Sequence, residues 1–223
     1  MRPLVRNINI LFNFAAESHV DRSITNPKDF INSNIYGPFT LLECLRQEGK
    51  TIRFVQVSTD EVYGSLTSTD SPSVESSLLQ PSSPYSASKA AAEHLTLSYF
   101  HTYKLDVVIT RSSNNYGAHQ LPEKFLPVVV LKALRNEKIP VYGDGKNRRD
   151  WMHVSDNCRG IWLASQRGRS GEVYNLGSGN ELENNQLVKI VLDHLKKPHE
   201  LAEFVKDRPG HDFRYALNST KAQ

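Results

Sequence analysis

Cysteine is nearly absent: Cys44 and Cys158 are the only two in 223 residues. Two thiols build no disulfide framework, so a reducing compartment, the cytoplasm, is expected. Long apolar runs are lacking as well. None approaches the ~20 residues of a membrane-spanning helix, so no membrane is expected. The first twenty residues, MRPLVRNINILFNFAAESHV, have basic residues and an apolar patch but no sustained apolar core and no cleavage site, and are not read as a signal peptide. Charge is not of one sign: 27 Lys+Arg against 24 Asp+Glu leave +3. No Lys/Arg cluster with interleaved aromatics occurs, and Arg148-Arg149 is the only tight basic pair near a glycine turn, so nucleic acid is not expected as a partner. His19, His119 and His153 have no metal-ligand spacing, and no metal is assigned. Repeats and low-complexity tracts are absent too.

With 39% hydrophobic and 23% charged residues, the chain falls among folded proteins. Apolar runs alternate with helical patterns, which argues for βαβ units and a parallel sheet. Strands are predicted at 8–15, 52–57, 107–111, 139–142 and 173–176. Helices are predicted from Asn26-Pro27 toward Leu45, ending near Gly49, and over 85–103, 122–136, 155–166 and 185–195. Ser155 and Asp156 are cap candidates for the fourth of these. Pro38 lacks the N–H that would bond the Asn34 carbonyl, so a kink is predicted there. The texture changes after residue 115, so the expected division is 1–115 and 116–223. The second half reads as a smaller, mixed domain with part of its chain returning to the sheet.

The residues that carry chemistry cluster. Ser58-Thr59-Asp60-Glu61-Val62-Tyr63-Gly64 ends a strand, and Tyr85-Ser86-Ala87-Ser88-Lys89 opens a helix. Tyr85 and Lys89, four apart, share a helix face. A phenol near pKa ~10 is a poor base at neutral pH, and a neighbouring ammonium lowers that pKa. Adjacent acids at a strand end meet different environments, which separates an acid from a base. Thr59 is placed to hydrogen-bond an oxygen on which charge develops. Each piece also has a plainer reading: a surface helix pair for Tyr85 and Lys89, a solvated turn for Asp60-Glu61. Arg208 and His211 beside Pro209-Gly210 also read as an ordinary turn, Asn175 as a strand cap and Lys124 as a solvated helix residue.

The motifs FNFAAESHVDRSI (12–24), VSTDEVYG (57–64), PSSPYSASKAAAEHL (81–95), TRSSNNYGAHQLPEKFLP (110–127), PVYGDGKNRRDWMHVSD (140–156), EVYNLGSGNE (172–181) and DRPGHDFRYALN (207–218) follow in order. The chain resembles the nucleotide-sugar 4,6-dehydratases of the extended short-chain dehydrogenase/reductase family along nearly its whole length. The resemblance implies an α/β fold: a Rossmann-type parallel sheet with a smaller mixed α/β substrate domain. No G-x-x-G-x-x-G turn is present, so the sheet is expected to be incomplete, lacking N-terminal βα units of roughly 60–70 residues, about 30 each. The last helical segments of the family are expected to be missing too.

The resemblance further implies NAD as cofactor and dTDP-glucose as substrate, with a 4-keto-6-deoxy sugar as product, in deoxysugar biosynthesis that includes rhamnose. Catalysis falls to Thr59, Asp60, Glu61, Tyr85 and Lys89. Ala15, Ala16, Glu17, Ser33, Ser58 and Asn115, with Tyr85 and Lys89, match cofactor positions. Ser18, Asn114, Lys124, Val141, Tyr142, Arg149, Asn175, Arg208 and His211, with Thr59, match the sugar nucleotide's. A homodimer through helices near 30–45 and 85–103 is implied. Two alternatives stay open: an epimerase or decarboxylase of the same fold, and a non-catalytic interaction module.

Overall fold

The computed structural model describes residues 5–223. Four strands form a parallel sheet in the order β1-β2-β3-β7, with β1 at Ile10–Asn13, β2 at Arg53–Thr59, β3 at Val107–Ser112 and β7 at Glu172–Leu176. The register runs Phe12 to Val55 to Val108, and Ile109 to Val173. Phe54 and Val55 are both fully buried, on opposite faces of β2. Phe54 joins Leu42, Leu45, Tyr99 and Val107, whereas Val55 joins Ile161 and Leu176. Helices therefore cover both faces, as a parallel sheet requires. Each such side chain contributes roughly 1.5–3 kcal/mol by burial.

The helices are α1 (Val20–Thr25), α2 (Pro27–Ile31), α3 (Gly37–Glu48), α4 (Pro84–Tyr103), α5 (Phe125–Leu134), α6 (Val154–Arg167) and α7 (Asn184–Leu195). The single helix predicted from Asn26 is divided. A π-helical turn, Asn32–Tyr36, separates α2 from α3, and the Gly37 N–H donates to the Asn32 carbonyl. Pro38 stands in the first turn of α3. It has no N–H for the Asn34 carbonyl, and the predicted kink takes the form of one widened turn. Helix α6 is capped by His153, whose Nδ1 accepts from the Ser155 N–H at 3.3 Å, and not by Ser155 or Asp156. Strand β1 is shorter than the predicted 8–15.

Further strands went unpredicted: β4 (Asn114–Tyr116), β6 (Arg148–His153) and β8 (Glu181–Glu183), which form one small sheet, and β9 (Ala202–Val205). The predicted strand β5 (Ile139–Tyr142) pairs in parallel with β9. A second core of Val129, Ala133, Ile139, Val141, Val188 and Leu192 lies between α5, α7 and β5. Among the described residues no helix is long and apolar enough to cross a membrane. The loops that matter follow the carboxyl ends of β1, β2 and β3, the edge where open parallel sheets bind ligands.

Candidate active site

Strand β2 ends in a 3-10 turn, Asp60–Tyr63, capped by Thr59, whose Oγ1 accepts from the Glu61 N–H at 3.3 Å and donates to Asp60 Oδ1 at 3.2 Å. Gly64 closes the turn at φ 77°, where an added Cβ would lie 2.2 Å from the Gln80 carbonyl oxygen. Only glycine fits there. The turn separates its two acids. Asp60 is buried, and its Oδ2 has no hydrogen-bond partner among the described residues. Burial, then the neighbouring Glu61, pushes its carboxyl up to about 8, against the pull of Arg149. Glu61 is half-buried and opens on a cleft of about 370 Å³. Burial raises it as well, opposed by Arg149, Arg208 and Lys124.

Helix α4 begins where Ser83 and Ser86 cap each other, at 3.1 Å and 3.0 Å, with Pro84 in the first turn. This box sets Tyr85 beside the β2 turn. The predicted effect of Lys89 on Tyr85 is not what the structure shows. Lys89 Nζ donates to the Val57 carbonyl at 2.6 Å, and burial lowers its pKa to about 8. Tyr85 is pushed up, by burial first and then by Glu61 and Asp60; Thr59 is the group that favours its phenolate.

The 15–18 loop after β1 is tied down by a residue that sequence reasoning missed. Asn34, buried in the π turn beside Ser33, accepts from the Glu17 N–H at 2.8 Å, and its Nδ2 donates to the Glu17 carbonyl at 3.0 Å and to Ser88 Oγ at 2.8 Å. The loop carrying Ala15 and Ala16 is thereby fixed to the helix of Tyr85 and Lys89. Ser58 Oγ and Asn115 Oδ1 are buried without hydrogen-bond partners among the described residues. Asn115 Nδ2 donates to the Ser113 carbonyl at 3.0 Å.

Ser18, Glu61, Asn114, Lys124, Tyr142, Arg149, Arg208 and His211 all line the cleft. Lys124 Nζ donates to the Ser18 carbonyl at 2.7 Å, and burial lowers its pKa. Arg208 pairs with Asp21 at 3.3 Å. His211 Nδ1 meets Asp207 at 2.6 Å; burial lowers its pKa although Asp207 raises it. The lining also includes Asp21, Trp151 and Tyr215, which lie within the quoted motifs but were given no role, and Asn184, which lies outside them.

Two predicted substrate residues are elsewhere. Val141 is 1% exposed in the second core; strand alternation turns Pro140 and Tyr142 to the cleft and Val141 away. Asn175 is fully buried, and its side chain is already engaged: it accepts from Tyr63 Oη at 2.8 Å and donates to the carbonyls of Ser73 and Asn218 at 3.0 Å and 3.2 Å. It is a structural knot, close to the strand cap of its plainer reading.

A parallel sheet with an Asp-Glu turn at one strand end, and a Tyr-x-x-x-Lys helix packed beside it, define a protein of the short-chain dehydrogenase/reductase type. A family profile described as GDP-mannose 4,6 dehydratase matches residues 2–223, and the chain belongs to that family. It is 48% identical over 219 residues to a dTDP-glucose 4,6-dehydratase of Streptomyces antibioticus, covering 98% of this chain and 64% of that protein. A DesIV double mutant, a dTDP-glucose 4,6-dehydratase from Streptomyces venezuelae with NAD and DAU bound, superposes with a TM-score of 0.96 at 46% identity, over 99% of this chain and 68% of that one. A UDP-glucuronic acid 4-epimerase from Bacillus cereus, in complex with UDP-glucuronic acid and NAD, has a TM-score of 0.92 at 26% identity, over 99% of this chain and 70% of that one. The chain thus spans just under two thirds of the length of the Streptomyces antibioticus relative.

Proposed function

We propose that the chain carries the reacting centre of a dTDP-glucose 4,6-dehydratase, an NAD-dependent lyase. The observation that carries this reading is the split of Asp60 from Glu61: one acid buried and protonated at neutral pH, the other open to the cleft under three cations. An epimerase of the same fold needs the tyrosine and lysine but has no use for that pair.

The residues present fit a nicotinamide dinucleotide. Ser58 Oγ and Asn115 Oδ1 offer buried, unengaged polar atoms beside the carboxyl ends of β2 and β3. Ala15, Ala16, Glu17 and Ser33 would wall the same side, with Lys89 and Tyr85 beneath. When bound, NAD supplies reversible hydride transfer at the sugar. Tyr85 Oη takes the proton of the C4 hydroxyl, with Thr59 favouring the phenolate. A 4-keto group makes the C5 proton acidic, and the Glu61 carboxylate removes it. Asp60 gives its proton to the departing C6 hydroxyl, so that water leaves. Arg149 and Arg208 hold the diphosphate, which suits a guanidinium fork. Asn114, Lys124, Tyr142, Ser18 and His211 line the remainder of the nucleotide-sugar cleft.

Residues 1–115 are assigned mainly to the cofactor and 116–223 mainly to the nucleotide sugar. The two free thiols suit a reducing cytoplasm. A homodimer is assigned to the face bearing Ile31, Tyr36, Phe39 and Tyr103, which are 46%, 60%, 42% and 48% exposed. Sedimentation of Tyr36→Glu tests it, with a shift to monomer expected.

For the chemistry, Asp60→Asn with Glu61→Gln is compared with the parent, both in the 223-residue chain and behind a Gly-rich nucleotide-binding unit. The 4-keto product is followed by its absorbance in alkali. The double variant is expected to bind NAD and form no product. Water elimination at the parent rate would refute the roles.

A further inference from the structure

Arg149 is 6% exposed, yet among the described residues no carboxylate hydrogen-bonds its guanidinium. Its Nη1 donates to the carbonyls of Arg148 and Phe213 at 2.8 Å and 3.2 Å, and its Nη2 to the Asp212 carbonyl at 2.8 Å. The guanidinium carbon is 4.3 Å from the centroid of the Tyr215 ring. The Nε–H and one Nη2 N–H have no protein partner among the described residues. Those two share one edge of the planar group and form a bidentate fork.

The carbonyls that grip Arg149 belong largely to the 212–215 segment, and that segment is braced from within. Tyr215 Oη donates to Asp212 Oδ2 at 2.5 Å, and Ser82 Oγ donates to the same oxygen at 2.5 Å. The backbone is stitched to β6 by Arg148 N–H to the Phe213 carbonyl at 2.8 Å and Tyr215 N–H to the Arg148 carbonyl at 3.2 Å. Ser82 directly precedes the box that starts the helix of Tyr85.

Glu61 opens on the same cleft as this brace. The groups that face it are the cations Arg149, Arg208 and Lys124, the acids Asp60 and Asp212, and the phenols Tyr85 and Tyr215. An unrestrained guanidinium beside a half-buried carboxylate pairs with it. Such a pair would consume the fork and the base together.

We propose that Tyr215 and Asp212 are positioning residues that hold Arg149 off Glu61, keeping its fork free for a ligand diphosphate and Glu61 free as a base. What Arg149 binds rests on the nucleotide-sugar reading; what holds it rests on geometry alone.

The 223-residue chain, labelled with carbon-13 at the glutamate carboxyls, is titrated by NMR, and Glu61→Gln identifies the Glu61 signal. Tyr215→Leu removes ring and hydroxyl, and is expected to lower the Glu61 midpoint by about one pH unit, a roughly tenfold change in proton affinity. Tyr215→Phe keeps the ring, folds with least disturbance and is expected to move the midpoint the same way by less. In an Arg149→Met background, Tyr215→Leu is expected to add nothing, because the effect runs through Arg149. A midpoint unmoved in both Tyr215 variants, or moved equally without Arg149, overturns the brace. Calorimetry with dTDP separates the two readings. About tenfold weaker binding in Tyr215→Leu supports both. An unsubstituted chain that takes up no dTDP counts against the nucleotide-sugar reading, while the NMR midpoints still decide the brace.

Discussion

Two of the buried arginines, one in each half, are stacked on a tyrosine in almost the same way but are partnered differently. Arg111 on β3 and Arg149 on β6 are 4% and 6% exposed, and each guanidinium stacks on a tyrosine, at 4.7 Å from Tyr63 and 4.3 Å from Tyr215. Arg111 has a counter-charge. Its Nη2 meets Glu93 Oε2 at 2.6 Å, its Nε reaches both Glu93 oxygens, and its Nη1 goes to Tyr63 Oη and the Glu75 carbonyl. Arg149 is held by neutral carbonyls instead, and its field reaches Asp60, Glu61 and His211. Burial therefore does not separate these two arginines. The missing counter-charge of Arg149 does, and it fits Arg149 for the ligand role proposed for it.

Breaking the first arginine has the largest expected effect. Glu93→Gln leaves the Arg111 charge buried and uncompensated, which costs about 3–5 kcal/mol. Urea unfolding measures it, and a loss below about 1 kcal/mol would mean that Arg111 is not the closed pair described. Breaking the second should spare the fold. The carbonyls of Arg148, Asp212 and Phe213 keep other donors (the N–H groups of Tyr215 and Arg148, and Asn147 Nδ2), so Arg149→Met strands no acceptor. Its effect is expected in dTDP affinity, where losing charge-assisted hydrogen bonds of about 1.5–3 kcal/mol weakens binding roughly 10- to 100-fold. Unchanged affinity by calorimetry would end the contrast between the two arginines.

The same contrast marks what could be read from sequence. Strands β2 and β3 were legible because both faces are buried and their runs are rich in apolar and β-branched residues. Helix α4 was legible over 85–103, but its Ser83–Ser86 capping box was not. The residues proposed to react were recognisable as clusters wherever neighbours in sequence are neighbours in space, as in 58–64 and 85–89. Partners far along the chain were not. Asn175 resembles a ligand residue until Ser73 and Asn218, 102 and 43 positions away, take its amide N–H groups. Asn184, which lines the cleft, had no motif to mark it. Val141 and Tyr142 differ only in strand parity, and short strands such as β4 and β8 give too few residues for a period. The Lys89 rotamer is set by the Val57 carbonyl on another element, so helix spacing alone could not place its charge. The brace on Arg149 joins residues 82, 149, 212 and 215, which only the fold brings together.

The contrast is sharpened through pH, where the quantity read is a slope. Asp60 is 3% exposed and titrates near 8, whereas an unfolded aspartate titrates near ~3.9. Between those values the folded state keeps a proton that the unfolded chain has released. Its contribution to stability is therefore fully present below the unfolded value and is lost as pH rises toward the folded one, by up to about 1.4 kcal/mol per pH unit. Asp60→Asn cannot ionise and should remove that slope, gaining on the parent steadily as pH rises; equal slopes in urea unfolding would contradict the burial argument. Arg149 pulls the Asp60 pKa down across the cleft, so Arg149→Met should carry the falling limb to higher pH. Glu93→Gln should leave that limb where it is, because Arg111 touches the turn only at its Tyr63 end, and the charges that act most on Asp60 are those of Glu61, Arg149 and Asp150. If both substitutions moved the limb alike, the two arginines would be acting through general destabilisation, and the counter-charge would no longer tell them apart.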